Sequence, residues 1–503
     1  MTLKQRNLLL LAAAISSASG LASELLLGTL ASYLVGNEAL SYGIAVGGFL
    51  AAMGVGSYLS RFVGSQKSTL LNAFMTVELL IAPLNAILPL GLFALFIFGG
   101  EIWLGLGLVT LILGTLAGLE IPLLTRMVEV DQGLKNALAG VLAMDYFGAL
   151  VGALAFPIIL LPIVGMFPAA AILGIFPAVM VFFLGRVFPQ LARWRFVGLG
   201  MAILLTIFSI IVVPVTQRLE NNLYGAPIIQ RTQSAYQRLV LTRRGKDVRL
   251  FLDGDLQFST TDEYRYHEGL VHPALKAVSK PKKVLLLGAG DGFALREVLK
   301  WDSVEEVTLI ELDPKVVEWG KTYPALVQGN QRALTDSRVN IRYGDAFKLA
   351  SELETRFDVI IADFPDPDRN VLAKLYSLGF YRQLKAHLTP EGVLVTQASS
   401  PFFAPKAFAC IAETLETIDF QIYPYRVNVP SFGPWGFVLA TQSEFNPQLA
   451  ASFPFETRFL SPAVFESLFA LPPDLTPKEE VEINTLAHPV IVNYERDRRW
   501  VLY

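Results

Sequence analysis

Up to about residue 217 the apolar residues run in stretches of twenty or more, with polar residues confined to short breaks. A helix crosses the roughly 30 Å of hydrocarbon in a bilayer with about 20 apolar residues. Seven stretches meet that length: 7–35, 39–63, 68–98, 102–128, 137–163, 166–186 and 196–216. The third carries Pro83 and Pro89 and reads as one kinked span or a broken pair. After Gln217 the pattern changes. Short β-runs (Gln237–Leu241, Val248–Leu252, Leu256–Phe258) follow one another, with Asp253-Gly254 as a hairpin signal between the last two. Then short runs rich in apolar residues alternate with helical segments: Val284–Leu287, Val307–Ile310, Val339–Tyr343, Phe357–Ala362 and Gly392–Thr396. That alternation predicts a doubly wound, Rossmann-like α/β domain. The expected organisation is an all-α membrane bundle over 1–217, a small antiparallel β-hairpin domain over 218–262, the Rossmann-like domain over 263–445, and a tail over 446–503 packing on it.

Charge sharpens this division. Of 41 Lys+Arg and 44 Asp+Glu, only nine and eight fall in the first 217 residues, about 8% of that segment; the remainder is about 24% charged, the usual soluble value. The mean hydropathy of +0.47 therefore averages two unlike halves, which excludes both a wholly soluble enzyme and a pure transporter. A net charge of −3 excludes a generic nucleic-acid surface. The single cysteine, Cys410, excludes an intrachain disulfide and any cysteine-rich metal site, and four histidines leave little for a His-based one. The first apolar run is too long for a cleavable signal and is read as a transmembrane helix. Runs of small residues, as in Gly148–Ala153, let helix backbones approach closely.

Four acids lie inside the expected spans: Glu24, Glu78, Glu120 and Asp145. Intramembrane acids suggest function by default, here passage of a cation such as a polyamine; the plainer reading is that they are satisfied inside the bundle. All nine basic residues fall at alternate ends of the spans, while the loops near Asn37, Glu101 and Gly165 have none, which places the N-terminus in the cytoplasm. Seven spans then put the soluble domain outside. The chemistry below argues for the cytoplasmic side, with 196–216 re-entrant or the bundle inverted, and that side is the one expected.

Ligands of a doubly wound sheet bind at the carboxyl ends of its strands, and each expected strand ends there in a polar or acidic residue. The first ends in Gly288-Ala289-Gly290-Asp291-Gly292, whose glycines permit close backbone approach. Alone this loop says little. Glu311, 21 residues after Gly290 and at the second tip, suits ribose hydroxyls. Asp345 at the third tip suits an adenine amino group. Asp291 repels pyrophosphate or a carboxylate and suits an ammonium. Asp363 and Asp366, at the fourth tip, can hold a cationic amine and accept its proton.

The ordered set Tyr236-Gln237, Asp262-Glu263-Tyr264-Arg265-Tyr266-His267-Glu268, Gly288–Gly292 with Leu295-Arg296-Glu297-Val298, Glu311-Leu312-Asp313 and Asp363-Phe364-Pro365-Asp366-Pro367 resembles the spermidine synthase (polyamine aminopropyltransferase) family over about residues 225–445, in its membrane-anchored, multi-pass branch. The resemblance implies a class I methyltransferase-like sheet. It implies that Gln237, Gly288, Gly290, Glu311, Asp345 and Ala346 hold the thioadenosine part, that Tyr266, His267 and Asp291 hold the aminopropyl chain or polyamine, that Asp363 accepts the proton, and that Asp366 helps bind the acceptor amine. Ala289 stands where the family has a glycine, Asp368-Arg369-Asn370 fills a segment that carries a proline in soluble members, and Phe432 replaces a frequent tyrosine. The implied reaction moves the aminopropyl group of decarboxylated S-adenosylmethionine to putrescine, giving spermidine and methylthioadenosine, with the donor as co-substrate and no metal or cofactor. The implied partners are a diamine, the adenosyl donor and the lipid bilayer, in a homodimer or homotetramer. A methyltransferase, and a non-catalytic polyamine sensor or transporter, are the alternatives.

Overall fold

The computed structural model describes residues 2–35, 38–447, 452–475 and 480–497. The chain divides into two compact units, Met1–Ala226 and Pro227–Tyr503.

In the first unit, among the described residues, seven helices are long and apolar enough to cross a membrane: Leu3–Leu34, Leu40–Phe62, Lys67–Ile97, Ile102–Val130, Leu134–Val164, Met166–Val187 and Trp194–Leu223. They match the seven apolar stretches closely. The third is one unbroken helix with Pro83 and Pro89 inside it. The fifth changes to π-helical geometry over Phe156–Leu160, around Pro157, whose ring nitrogen has no hydrogen to donate. The seventh is continuous, and the boundary expected after Gln217 falls inside it. The expected loop residue Asn37 lies outside the described residues. The small-residue run on the fifth helix meets the first at backbone distance: a Cβ added at Gly148 would sit 2.1 Å from the Ala14 carbonyl oxygen.

The second unit begins with a four-stranded antiparallel sheet: β1 (Ile228–Gln233), β2 (Arg238–Arg244), β3 (Asp247–Leu252) and β4 (Asp255–Ser259). Leu252 pairs with Asp255 across a two-residue turn, and Asp253 and Gly254 both have positive φ, 51° and 99°. That is the backbone an Asp-Gly hairpin turn requires. The apolar face of this sheet (Leu239, Leu241, Leu250, Phe258) packs on Phe293 and Trp319.

A seven-stranded sheet follows: β5 (Lys283–Gly288), β6 (Glu306–Glu311), β7 (Val339–Tyr343), β8 (Phe357–Asp363), β9 (Leu388–Gln397), β10 (Gln421–Val429) and β11 (Gly433–Thr441). Its order is β10-β11-β9-β8-β5-β6-β7. The five strands expected from the sequence are parallel to one another; β10 and β11 extend the sheet as an antiparallel hairpin on the β9 edge. Alternate residues of each central strand enter opposite cores, Val284 and Leu286 on one face, Leu285 and Leu287 on the other. The chain builds outward from β5 to β7, then returns to place β8 on the other side of β5. That reversal opens a crevice above the β5 and β8 tips.

Candidate active site

The two central tips are held together by a missing side chain. Gly288 stands opposite Asp363 in the β5–β8 register, has φ +79°, and would bring an added Cβ within 2.1 Å of the Asp363 carbonyl oxygen. Ala289 follows with φ +60°, a left-handed conformation that costs a residue with a Cβ about 1–2 kcal/mol. Gly290 lies so near Glu311 that its N–H donates to Glu311 Oε2 at 3.1 Å, and the Asp313 N–H donates to the other oxygen at 2.9 Å. Even so, burial pushes the Glu311 carboxyl up to about 7. Asp291 accepts the Phe293 N–H at 2.8 Å, and burial raises its pKa above the ordinary aspartate value.

Asp363 ends β8. Tyr266 Oη donates to its Oδ1 at 2.6 Å. Burial pushes this carboxyl up to about 6, opposed by the charge of His267 and the Tyr266 bond. Tyr266 and His267 sit on the helix Glu263–Lys276, with the Tyr266 ring near Phe432, Trp435 and Phe437. His267 stacks on Phe293, ring centres 5.4 Å apart. Its Nδ1 lies 2.8 Å from the Glu263 carbonyl oxygen and 2.9 Å from Glu263 Oε2. Both are acceptors, so this nitrogen carries the proton. Burial alone disfavours imidazolium, but Glu263 outweighs it and the His267 pKa is raised. Glu263 is in turn gripped by both terminal nitrogens of Arg296, each at 3.0 Å.

The loop after β8 is pinned to the β9 tip. Gln397 Nε2 donates to the Phe364 carbonyl oxygen at 2.7 Å and Tyr376 Oη to that of Pro365 at 2.9 Å. Asp366 Oδ1 accepts from Ser399 Oγ at 2.9 Å. The late loop is fixed by Asp262, which accepts the Ser431 N–H at 2.7 Å and its hydroxyl at 2.9 Å, so Phe432 lies against Tyr266.

Of the residues singled out in the sequence, Tyr266 meets Asp363 directly, Gly288 and Gly290 bring β5 against Asp363 and Glu311, and Gln237 donates to Asp313 Oδ2 at 3.2 Å, two residues beyond Glu311. Asp345 is engaged differently. It caps the short helix Ala346–Leu349 through the Phe347 N–H and forms an ion pair with Lys374 Nζ at 2.6 Å; Ala346 is buried beneath it. Sequence reasoning gave no role to Glu263, Arg296, Lys374, Tyr376 or Ser399. The Glu263–His267 pair has helical i, i+4 spacing and was visible in principle. Lys374 lies 29 residues from Asp345 with no local signal.

Residues 263–450 match the spermine/spermidine synthase domain. The chain is 40% identical to polyamine aminopropyltransferase 2 of Ralstonia nicotianae, over 98% of this chain and 99% of that protein. It is 39% identical to the polyamine aminopropyltransferase of Leptospira interrogans, over 97% of each. The chain belongs to the polyamine aminopropyltransferase family. Among solved structures, spermidine synthase from Thermotoga maritima is 31% identical and covers 49% of this chain and 84% of its own, with a TM-score of 0.45. The alignments with these polyamine aminopropyltransferases span both units.

Proposed function

We propose that this aminopropyltransferase uses decarboxylated S-adenosylmethionine as donor and putrescine as acceptor. The acceptor nitrogen attacks the methylene carbon bound to sulfur; the C–N bond forms as the C–S bond breaks, and the electron pair leaves with sulfur as methylthioadenosine. The nitrogen's proton passes to Asp363. The observation that carries this reading is the Asp363 carboxyl, oriented by Tyr266 and raised to about 6 by burial. An ordinary aspartate is far too weak a base for an alkylammonium of pKa about 10, and burial narrows that gap. The sulfonium needs no further activation, so the protein's task is alignment and proton acceptance.

Glu311, Asp345, Ala346, Gln237, Gly288 and Gly290 are assigned to the thioadenosine part, and Tyr266, His267 and Asp291 to the aminopropyl chain. Asp366 is assigned to the far amine of the acceptor. On this assignment the Asp345 carboxylate serves both Lys374 and the adenine amino group. The seven apolar helices are assigned to the cell membrane. The catalytic unit is assigned to the cytoplasm, where its donor is made; because Trp194–Leu223 is one continuous helix, this entails a bundle inverted relative to the basic-residue pattern.

The test is methylthioadenosine release by the purified full chain, supplied with donor and each of several diamines. Release that requires both donor and putrescine supports the reading; release without an amine, or methyl transfer from S-adenosylmethionine, overturns it. A C-terminal fluorescent reporter that fails while an export-dependent phosphatase succeeds would overturn the cytoplasmic assignment.

A further inference from the structure

The first unit contains a small cavity between its helices, apart from the transferase chemistry, where apolar residues such as Phe49, Ile81 and Leu113 meet polar ones. Its wall includes Ser19 and Ser23 of the first helix, Glu78 and Asn85 of the third, and Glu120 of the fourth. Glu78, Asn85 and Glu120 are 0%, 3% and 5% exposed. Ser16 Oγ donates to one oxygen of Glu78; the other, Oε2, has no hydrogen-bond partner. The Asn85 amide nitrogen, equally buried, has none either. A buried unpartnered polar atom costs about 1–3 kcal/mol, and here two of them line one cavity.

The hydroxyls in this wall have already spent their protons. Ser19 Oγ donates to the Leu173 carbonyl oxygen at 2.8 Å and Ser23 Oγ to that of Ser19 at 2.8 Å. What they offer the cavity is lone pairs. Glu78 Oε2 and the Glu120 carboxyl offer more, and Asn85 turned over adds its carbonyl oxygen. A shell of oxygen acceptors suits a hard cation. No basic residue lines the cavity, and the nine Lys and Arg of this segment all fall near helix ends. The volume is about 10 Å³, room for one water or one bare small ion. A hydrated ion and the alkyl chain of a polyamine are both too large. Glu120 lies within electrostatic reach of Glu78 and of Asp145 on the fifth helix. One proton and one monovalent ion make the Glu78–Glu120 pair neutral.

We propose that the helical unit binds a single dehydrated monovalent cation of sodium size between Glu78 and Glu120, with Ser19, Ser23 and Asn85 completing its oxygen shell. This rests on the assignment of the seven helices to a membrane, where a buried carboxyl is costly.

The full-length protein in nonionic detergent is titrated with NaCl, KCl, CaCl₂, putrescine and choline chloride at constant ionic strength. Thermal unfolding and equilibrium binding of radioactive sodium are both read. The expected result is saturable binding of about one sodium per chain, with a rise in Tm of about 5 °C that choline and putrescine do not give. Glu78→Gln and Asn85→Ala should each abolish the saturable component, and Asp363→Asn should keep it. Absence of saturable sodium binding to the wild type overturns the proposal, as does equal stabilisation by choline, a preference for calcium, or undiminished binding in both cavity variants. Should Glu78→Gln fail to fold, Asn85→Ala and the direct binding measurement decide. Alkaline extraction of cell membranes tests the membrane assignment separately: a chain released by carbonate refutes that assignment whatever sodium does.

Discussion

Buried carboxyls occur in both units, and they are held in different ways. Around the catalytic crevice each has a partner that fixes its direction: Glu311 has two backbone N–H groups, Asp291 has one, Asp363 has a tyrosine and Glu263 has an arginine fork. In the helical unit Glu78 has one serine and an oxygen without a partner. At the β5 and β6 tips the loop supplies amides to Asp291 and Glu311, because the backbone there has left the sheet ladder. A helix interior has no such amides to give, since its N–H groups are already bonded to the preceding turn. Carboxyls around the crevice are thus oriented by backbone amides and by side chains, whereas Glu78 has a side chain alone.

The largest test of this contrast is Arg296. Truncating it to alanine leaves Glu263 buried without its fork, and removal of one partner of a buried pair costs about 3–5 kcal/mol. Denaturant unfolding of the full chain should show that loss in the transition of the catalytic unit. A loss below about 1 kcal/mol would mean that the pair is not the brace it is drawn as here.

Asp363→Asn comes next. Turnover with saturating diamine should fall by at least about 10²-fold, the low end of general-base contributions. Stability should move the other way. The wild-type carboxyl is raised from 3.8 to about 6, so the folded state loses stability as pH rises through that window and bears the full penalty above it. The variant lacks the penalty: at pH 8 it should be more stable than wild type by about 1–2 kcal/mol, the part of a two-unit shift left after allowing for access to the crevice. At pH 3.5 the two should coincide. In the wild type, kcat/KM should rise with pH through about 6. A flat profile from pH 5 to 7 would detach Asp363 from proton acceptance.

Asp291→Asn sharpens the assignment within the crevice. Losing a charge-assisted bond costs about 1.5–3 kcal/mol, and only the donor carries the terminal ammonium. Calorimetry should therefore show the decarboxylated donor weakened far more than methylthioadenosine. Equal losses would mean that Asp291 serves the Phe293 amide alone. The smallest effect belongs to Ala289→Gly, where relief of the left-handed backbone and the added freedom of glycine in the unfolded chain oppose each other, leaving stability within about 1 kcal/mol of wild type. A larger loss would show that the Ala289 methyl packs against something essential.

Much of this was legible in the chain itself. Twenty-residue apolar stretches gave the seven helices because length and hydropathy alone decide them, and the third resolved as one helix despite Pro83 and Pro89. The five parallel strands were legible as short apolar runs, and their tips followed from the topology. The β10–β11 hairpin was not among the expected strands. Gln421–Val429 carries Pro424, which cannot donate to a ladder and argues against a strand, and Gly433–Thr441 opens on the turn signal Gly433-Pro434. Within the site, Asp363 and Glu311 could be singled out because each ends a strand. The Lys374–Asp345 pair and the Gln397–Phe364 bond could not, since they join segments that only the folded sheet brings together.

Glu268 has a consequence for the order in which the enzyme comes into being. It lies one residue past His267, wholly buried, and its carboxylate accepts the N–H groups of Arg458, Phe459 and Leu460 at 2.7, 2.9 and 3.0 Å. Those amides leave the ribosome about 190 residues after Glu268 itself. Until they arrive, packing the helix that bears Tyr266 and His267 against the sheet buries the Glu268 carboxyl without these partners, at a cost of about 3–5 kcal/mol. The last segment to be made thus supplies amides that secure one of the first parts of the transfer site.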